Sequence, residues 1–219
     1  MFLMKNHILS FVSVLLINGF IYALLSNNNL YDWIHLQVAV LAFLLTLLFL
    51  KEAKILTMRN FISRIYNPLR AGIIVSFIAG LFMVSKSGIF RVFRDHVGIS
   101  STIIIISAVY LLSKVCKLLL ITRKSHKILV YVIAYIVLLP TILYPMISGA
   151  ILVILLSFLH NYKTGLVIGI ATFIYSISQY YYDLNFSLLT KSILLFVSGA
   201  LFLLLYLFTH KKLNSDEKI

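Results

Sequence analysis

Ile34–Leu50 reads IHLQVAVLAFLLTLLFL, an apolar run with no acidic residue, lysine or arginine. It lacks the polar–apolar alternation of a half-buried strand, and as a helix it approaches the ~30 Å of a bilayer's hydrocarbon layer. Backbone amides in lipid find no water, so such a run must satisfy its own hydrogen bonds as a helix. Similar runs recur on both sides of it. The chain of 219 residues is 62% hydrophobic and 11% charged, with a mean hydropathy of +1.05. That is too little charge to cover a soluble domain. The expected fold is all-α: a polytopic membrane helix bundle of about eight transmembrane helices in a single integral membrane domain over 1–219.

Working outward from 34–50, spans are expected at about 8–25, 34–50, 70–85, 99–121, 128–144, 147–160, 165–182 and 186–208. A short polar tail follows at 209–219. The first run follows Lys5 as a signal peptide would, but Ala23-Leu24-Leu25-Ser26-Asn27 offers no small-x-small cleavage site. It reads as a retained anchor. The stretch 128–160 is either two short spans or one broken span, with Pro140, Pro145, Ser148 and Gly149 offering the break. Charge favours two. With eight spans, 15 of the 19 Lys and Arg fall on one side; with seven, only 12 do. Basic connectors stay in the cytoplasm, so both termini are expected there.

The segment 54–70 has a different pattern. Ile55, Met58, Phe61, Ile62, Ile65, Tyr66 and Leu69 share one helical face. Arg59, Asn60, Ser63, Arg64, Asn67 and Arg70 share the other. The expectation is an interfacial amphipathic helix, basic side toward anionic lipid, which Pro68 ends or bends. The net charge of +13 lies in connectors between apolar runs, so it points to the membrane surface and not to nucleic acid.

Lys191 is the sharpest anomaly, about five residues inside the last apolar run. Asp183 and the hydroxyls of Tyr180, Tyr181 and Tyr182 lie where its side chain would lean. One reading is a structural clasp, a snorkelling lysine held by Asp183; the other is a cation facing an anionic substrate or headgroup in a cavity. The tyrosines themselves read first as interfacial belt residues. Arg91 and Arg94 on the opposite connector admit the same pair of readings, anchor or anion site. Gly72, Ser76 and Gly80, like Gly165 and Gly169, form small-residue stripes that let helices approach closely. Whether the approach is internal or to another protein stays open at this level.

The six acidic residues are Asp32, Glu52, Asp95, Asp183, Asp216 and Glu217, and none falls in the middle of a span. Proton-coupled carriers usually need an intramembrane carboxylate or histidine, and none is expected within the spans here; no H-E-x-x-H, P-loop or paired-carboxylate motif is present. His126, His160 and His210 read as solitary border residues, and Cys116 is the single cysteine. No metal site, no cofactor and no enzymatic activity are therefore expected.

The closing pattern Tyr180-Tyr181-Tyr182-Asp183-Leu184, Leu188-Leu189-x-Lys191-Ser192 and Ser198-Gly199-Ala200, with Gly165-x-x-x-Gly169 before it, resembles the end of a bacterial multi-pass membrane family. That family is defined as a domain of unknown function, and its members are often encoded beside a membrane protein with a G-D-Y signature. The resemblance implies an inner-membrane protein with a membrane partner and brings no catalytic residue. Two functional expectations follow. One is a non-enzymatic subunit or scaffold packed against a second membrane protein, with membrane lipids as its other contacts. The alternative is a transporter or lipid-handling protein holding an anion near Lys191.

Overall fold

The computed structural model describes residues 7–57, 60–85, 97–118 and 124–183, together with scattered positions between 189 and 207. Every regular element among them is helical. In chain order these are α1 (His7–Asn27), α2 (Asp32–Leu50), α3 (Glu52–Leu56), α4 (Asn60–Ser85), α5 (Val97–Leu118) and α6 (Lys124–Leu138). A 3-10 turn (Pro140–Leu143), α7 (Pro145–Leu159) and α8 (Lys163–Asp183) complete the order. Two compact units result, Met1–Ile177 and Ser178–Ile219, the boundary falling within α8.

Among the described residues four helices, not eight, are long and apolar enough to cross a membrane: His7–Asn27, Asp32–Leu50, Ile65–Ser85 and Ser100–Lys117. Helices α6 and α7 have 15 residues each, or ~22 Å, short of a full hydrocarbon crossing. Helix α8 has 21 residues but ends in Gln179 and three tyrosines, which lower its hydropathy. The expected span at 186–208 lies largely outside the described residues.

The break between α6 and α7 sits where the prolines placed it. Leu139 keeps helical angles (φ −60°, ψ −48°), and the 3-10 turn starts at Pro140. Pro140 and Pro145 each stand at the first position of a helical element, where their missing N–H is one that no helix would satisfy.

A second expectation is corrected at 54–70. The chain forms only the short α3 and then α4, which runs from Asn60 straight through Pro68 to Ser85. No separate interfacial helix ends at Pro68. The buried Pro68 forgoes one main-chain bond inside a longer helix, a loss that packed neighbours make tolerable in membrane helices.

Contacts fix how the helices of the first unit run past one another. A side chain at Gly72 would strike Val14, and one at Gly80 would strike Tyr22 and Val38. Thus α1 lies parallel to α4 and α2 antiparallel to it. Gly72, Ser76 and Gly80 are all buried in this contact, and the Tyr22 hydroxyl donates to the Ser76 carbonyl at 3.4 Å. Gly149 of α7 abuts Phe77 and Leu81, while Gly165 and Gly169 of α8 meet Ser157 and Ile154 of α7. The small-residue stripes are therefore filled from within the chain. Phe49, Phe77, Leu81, Ile104, Leu111, Leu152 and Leu156 form the core where α2, α4, α5 and α7 converge.

Polar links cross this interior. Gln37 Nε2 donates to Asn18 Oδ1 at 3.1 Å, joining α2 to α1. His35 Nδ1 lies 3.3 Å from Ser100 Oγ, joining α2 to α5, with His35 wholly buried. The expectation that the spans hold no histidine is overturned by His35, whose ring the helix contact and the serine hydroxyl accommodate.

Candidate functional site: a buried charge cluster at one end of the bundle

Helix α2 ends at Leu50, α4 starts its apolar part at Ile65, α7 ends at Leu159 and α8 starts at Lys163. All four ends meet on one side of the bundle, and there the chain assembles Glu52, Arg70 and His160. Arg70 Nη1 donates to Glu52 Oε1 at 3.0 Å, and His160 Nδ1 lies 2.6 Å from Glu52 Oε2. Arg70 Nη2 donates to Asn67 Oδ1 at 3.1 Å, one turn back on the same helix. Aromatic rings enclose the guanidinium: its carbon lies 3.7 Å from the Tyr162 ring centre, 5.0 Å from Tyr66 and 5.4 Å from Phe49. Weakly hydrated and planar, guanidinium suits such a cage, since ring faces attract a cation and a carboxylate neutralises it. The Arg70 side chain is 8% exposed, against about 20% for Glu52 and His160.

Local structure aims these groups. Asn161 adopts a left-handed conformation (φ 51°) after α7. The Tyr162 N–H then bonds the Ser157 carbonyl at 2.8 Å and the Asn161 N–H bonds Phe158 at 3.3 Å. This is a Schellman ending, which closes the helix and turns the chain over its own last turn. It holds His160 as the cap and puts Tyr162 on the Arg70 face; Phe49 meets His160 edge-on at 5.3 Å between centres. Asparagine tolerates the left-handed region because its side chain is short and polar, whereas a β-branched residue does not. Asn161→Val is expected to destabilise the fold by about 1–3 kcal/mol, and Asn161→Gly to be near neutral, read as thermal midpoints in detergent.

Burial holds the His160 imidazole below its ordinary range, Arg70 and Lys114 push the same way, and Glu52 opposes them. The ring is then neutral near pH 7, with its Nδ1–H donated to the carboxylate, which has only lone pairs to offer. One cation and one anion remain, so the cluster carries no net charge. His160 Nε2 and Arg70 Nε are buried with no hydrogen-bond partner among the described residues. Glu52 and His160 supply two metal ligands at most, and among the described residues no group of three His, Cys, Asp or Glu side chains converges.

This cluster was not among the expected sites. Arg70 was expected to face lipid, but it turns inward because Glu52 and the three rings are there to receive it. His160 was expected to stand alone, but α3 brings Glu52 against it. The pairings join residues 18 and 108 positions apart, separations at which local spacing carries no signal. Of the expected site residues, Arg91, Arg94 and Lys191 lie outside the described residues, as does the Asp183 side chain. Tyr181 and Tyr182, in the second unit, touch edge-to-face at 5.8 Å, and Tyr182 is exposed. Tyr180 lies in the same helical stretch.

Helices of membrane-spanning length, packed through small residues and tied at one end by a charge-neutral cluster, define an all-helical membrane-type protein. The chain belongs to the family described as Domain of unknown function (DUF4401), which matches residues 1–212. A family of unknown function is also the kind of family that the closing pattern resembles. No curated protein and no solved structure matches it.

Proposed function

We infer that this chain is a non-enzymatic, multi-pass subunit of the bacterial inner membrane that packs against a second membrane protein, its Glu52–Arg70–His160 end facing the cytoplasm. The observation carrying this reading is the outer face of α1. That helix is held chiefly by α4, and only Asn18 and Tyr22 are buried along it. Its outer face presents Gly19 and Ala23 one turn apart in a shallow notch bordered by Leu16 and Phe20. A side chain at Gly19 would meet nothing. Paired small residues on a lipid-facing helix permit the close backbone approach on which membrane helix association depends. The stripes at 72–80 and 165–169 are occupied internally, whereas the notch on α1 stands open among the described residues, which supports α1 as a face for a partner. Lys51, Lys54, Lys117, Lys127 and Lys163 lie at the end of the bundle that bears the cluster, and this basic excess supports the orientation.

The test is a photo-crosslinking amino acid at Phe20 in the full chain in its native membrane, with Tyr135 as the comparison position. The expected result is an adduct with a second membrane protein from position 20 that Gly19→Leu abolishes. Adducts with lipid alone, or with another copy of this chain alone, would overturn the reading.

A further inference from the structure

An apolar groove of about 500 Å³ lies between α5 and α6, apart from the charge cluster and the α1 face. Ile105 and Val109 form one wall; Tyr131, Val132, Tyr135 and Leu139 line the other, and Ile128 and Ile142 stand toward its two ends. Val132 and Tyr135 are at least half exposed. Counted from Ile128 to Leu139, the groove is ~16 Å long. Its lining is almost wholly apolar.

The two ends differ. At the end where α5 finishes and α6 begins, Lys117 is exposed and Lys127 is half-buried. Lys127 heads the same helical stripe as Tyr131, Ala134, Tyr135 and Leu138, so it stands at the mouth of the groove. Helical side chains lean toward the N-terminus, which carries its ammonium out of the apolar channel toward the membrane surface. Among the described residues no charged side chain lines the groove itself, and none stands in the turn Pro140–Leu143 at its other end.

We propose that this groove is a binding site for an anionic diacyl phospholipid, one acyl chain lying along Tyr131–Leu139 and the phosphate meeting Lys117 and Lys127. Charge selects the occupant. A neutral lipid or an apolar helix fills the channel equally well but gains nothing from the two ammonium groups, whereas an anionic headgroup gains about fivefold in affinity from each lysine near the surface. The proposal does not depend on the partner inferred for α1, because it uses a different face.

The experiment places a reporter in the groove. Trp33, the one tryptophan, is removed by Trp33→Phe and a new one is introduced by Tyr135→Trp, or by Val132→Trp should that variant fold poorly. The full chain is reconstituted in vesicles of brominated phosphatidylglycerol mixed with phosphatidylcholine, or of brominated phosphatidylcholine mixed with phosphatidylglycerol, and quenching gives the relative affinity. Expected is at least a fivefold preference for phosphatidylglycerol that falls to about one in Lys117→Gln/Lys127→Gln and weakens with salt. A reporter at Phe20→Trp on α1 should show no preference. Equal quenching by the two lipids, a preference unchanged in the double lysine variant, or an equal preference at position 20 would each overturn the proposal.

Discussion

Glu52→Gln is expected to destabilise the bundle by about 3 kcal/mol, and Arg70→Met by a similar amount, while the double variant should lose far less than their sum. The physical reason is what each single change leaves behind. Without the Glu52 charge, Arg70 sits among Phe49, Tyr66 and Tyr162 with the neutral Asn67 and ring faces in place of a carboxylate. Without Arg70, the Glu52 carboxylate keeps the His160 contact but loses the guanidinium that balances its charge. Breaking one partner of a buried pair costs about 3–5 kcal/mol, and the partial exposure of Glu52 places this pair at the low end. Replacing both removes charge and desolvation together, so an apolar pair of similar volume comes close to neutral. Two readouts serve. One is the thermal midpoint in detergent; the other is the maleimide-labelling rate of Cys116, a single, buried thiol on α5 that reacts only when the bundle opens. Additive losses would mean the two residues are not coupled and that the cluster does not tie the helix ends.

Gly80→Leu should be nearly as damaging, through shape and not charge. Even a single added carbon would overlap the Tyr22 phenol and Val38, so a leucine must push α1 and α2 off α4. Overpacking of this kind typically costs about 1–3 kcal/mol, and here it also strips the Tyr22 hydroxyl of its Ser76 carbonyl. Gly19→Leu is the matched control, since nothing stands within reach of that position. It should leave the midpoint of the isolated chain within ~0.5 kcal/mol of the parent. A comparable loss at both positions would show that glycine matters here for the backbone alone and not for the approach of α1 to α4.

How far the chain could be read in advance follows from the range of each force. Apolar runs are local, and they put helices at 8–25, 34–50, 99–121 and 165–182, where α1, α2, α5 and α8 lie. The prolines at 140 and 145 likewise marked a break that depends only on backbone chemistry. The direction of Arg70 was a different matter. On a helical wheel it shares the polar face with Asn67, and nothing nearby in sequence says that Glu52 will fold back to meet it. The glycines at 72 and 80 announced a close contact but not its owner, because a small residue is equally suited to its own chain and to a stranger. His35 was hidden for a related reason: a ring bonded to one serine on another helix leaves no spacing to recognise.

The pairing of α1 with α4 has a consequence for how the chain is made. The Tyr22 hydroxyl finds its acceptor 54 residues downstream, and α1 has little other packing. In a bilayer, the first helix is therefore expected to stay loosely attached during synthesis until α4 has been delivered beside it. A ribosome stalled shortly after the second helix should leave α1 open to capture by any passing helix with a flat, small-residue face.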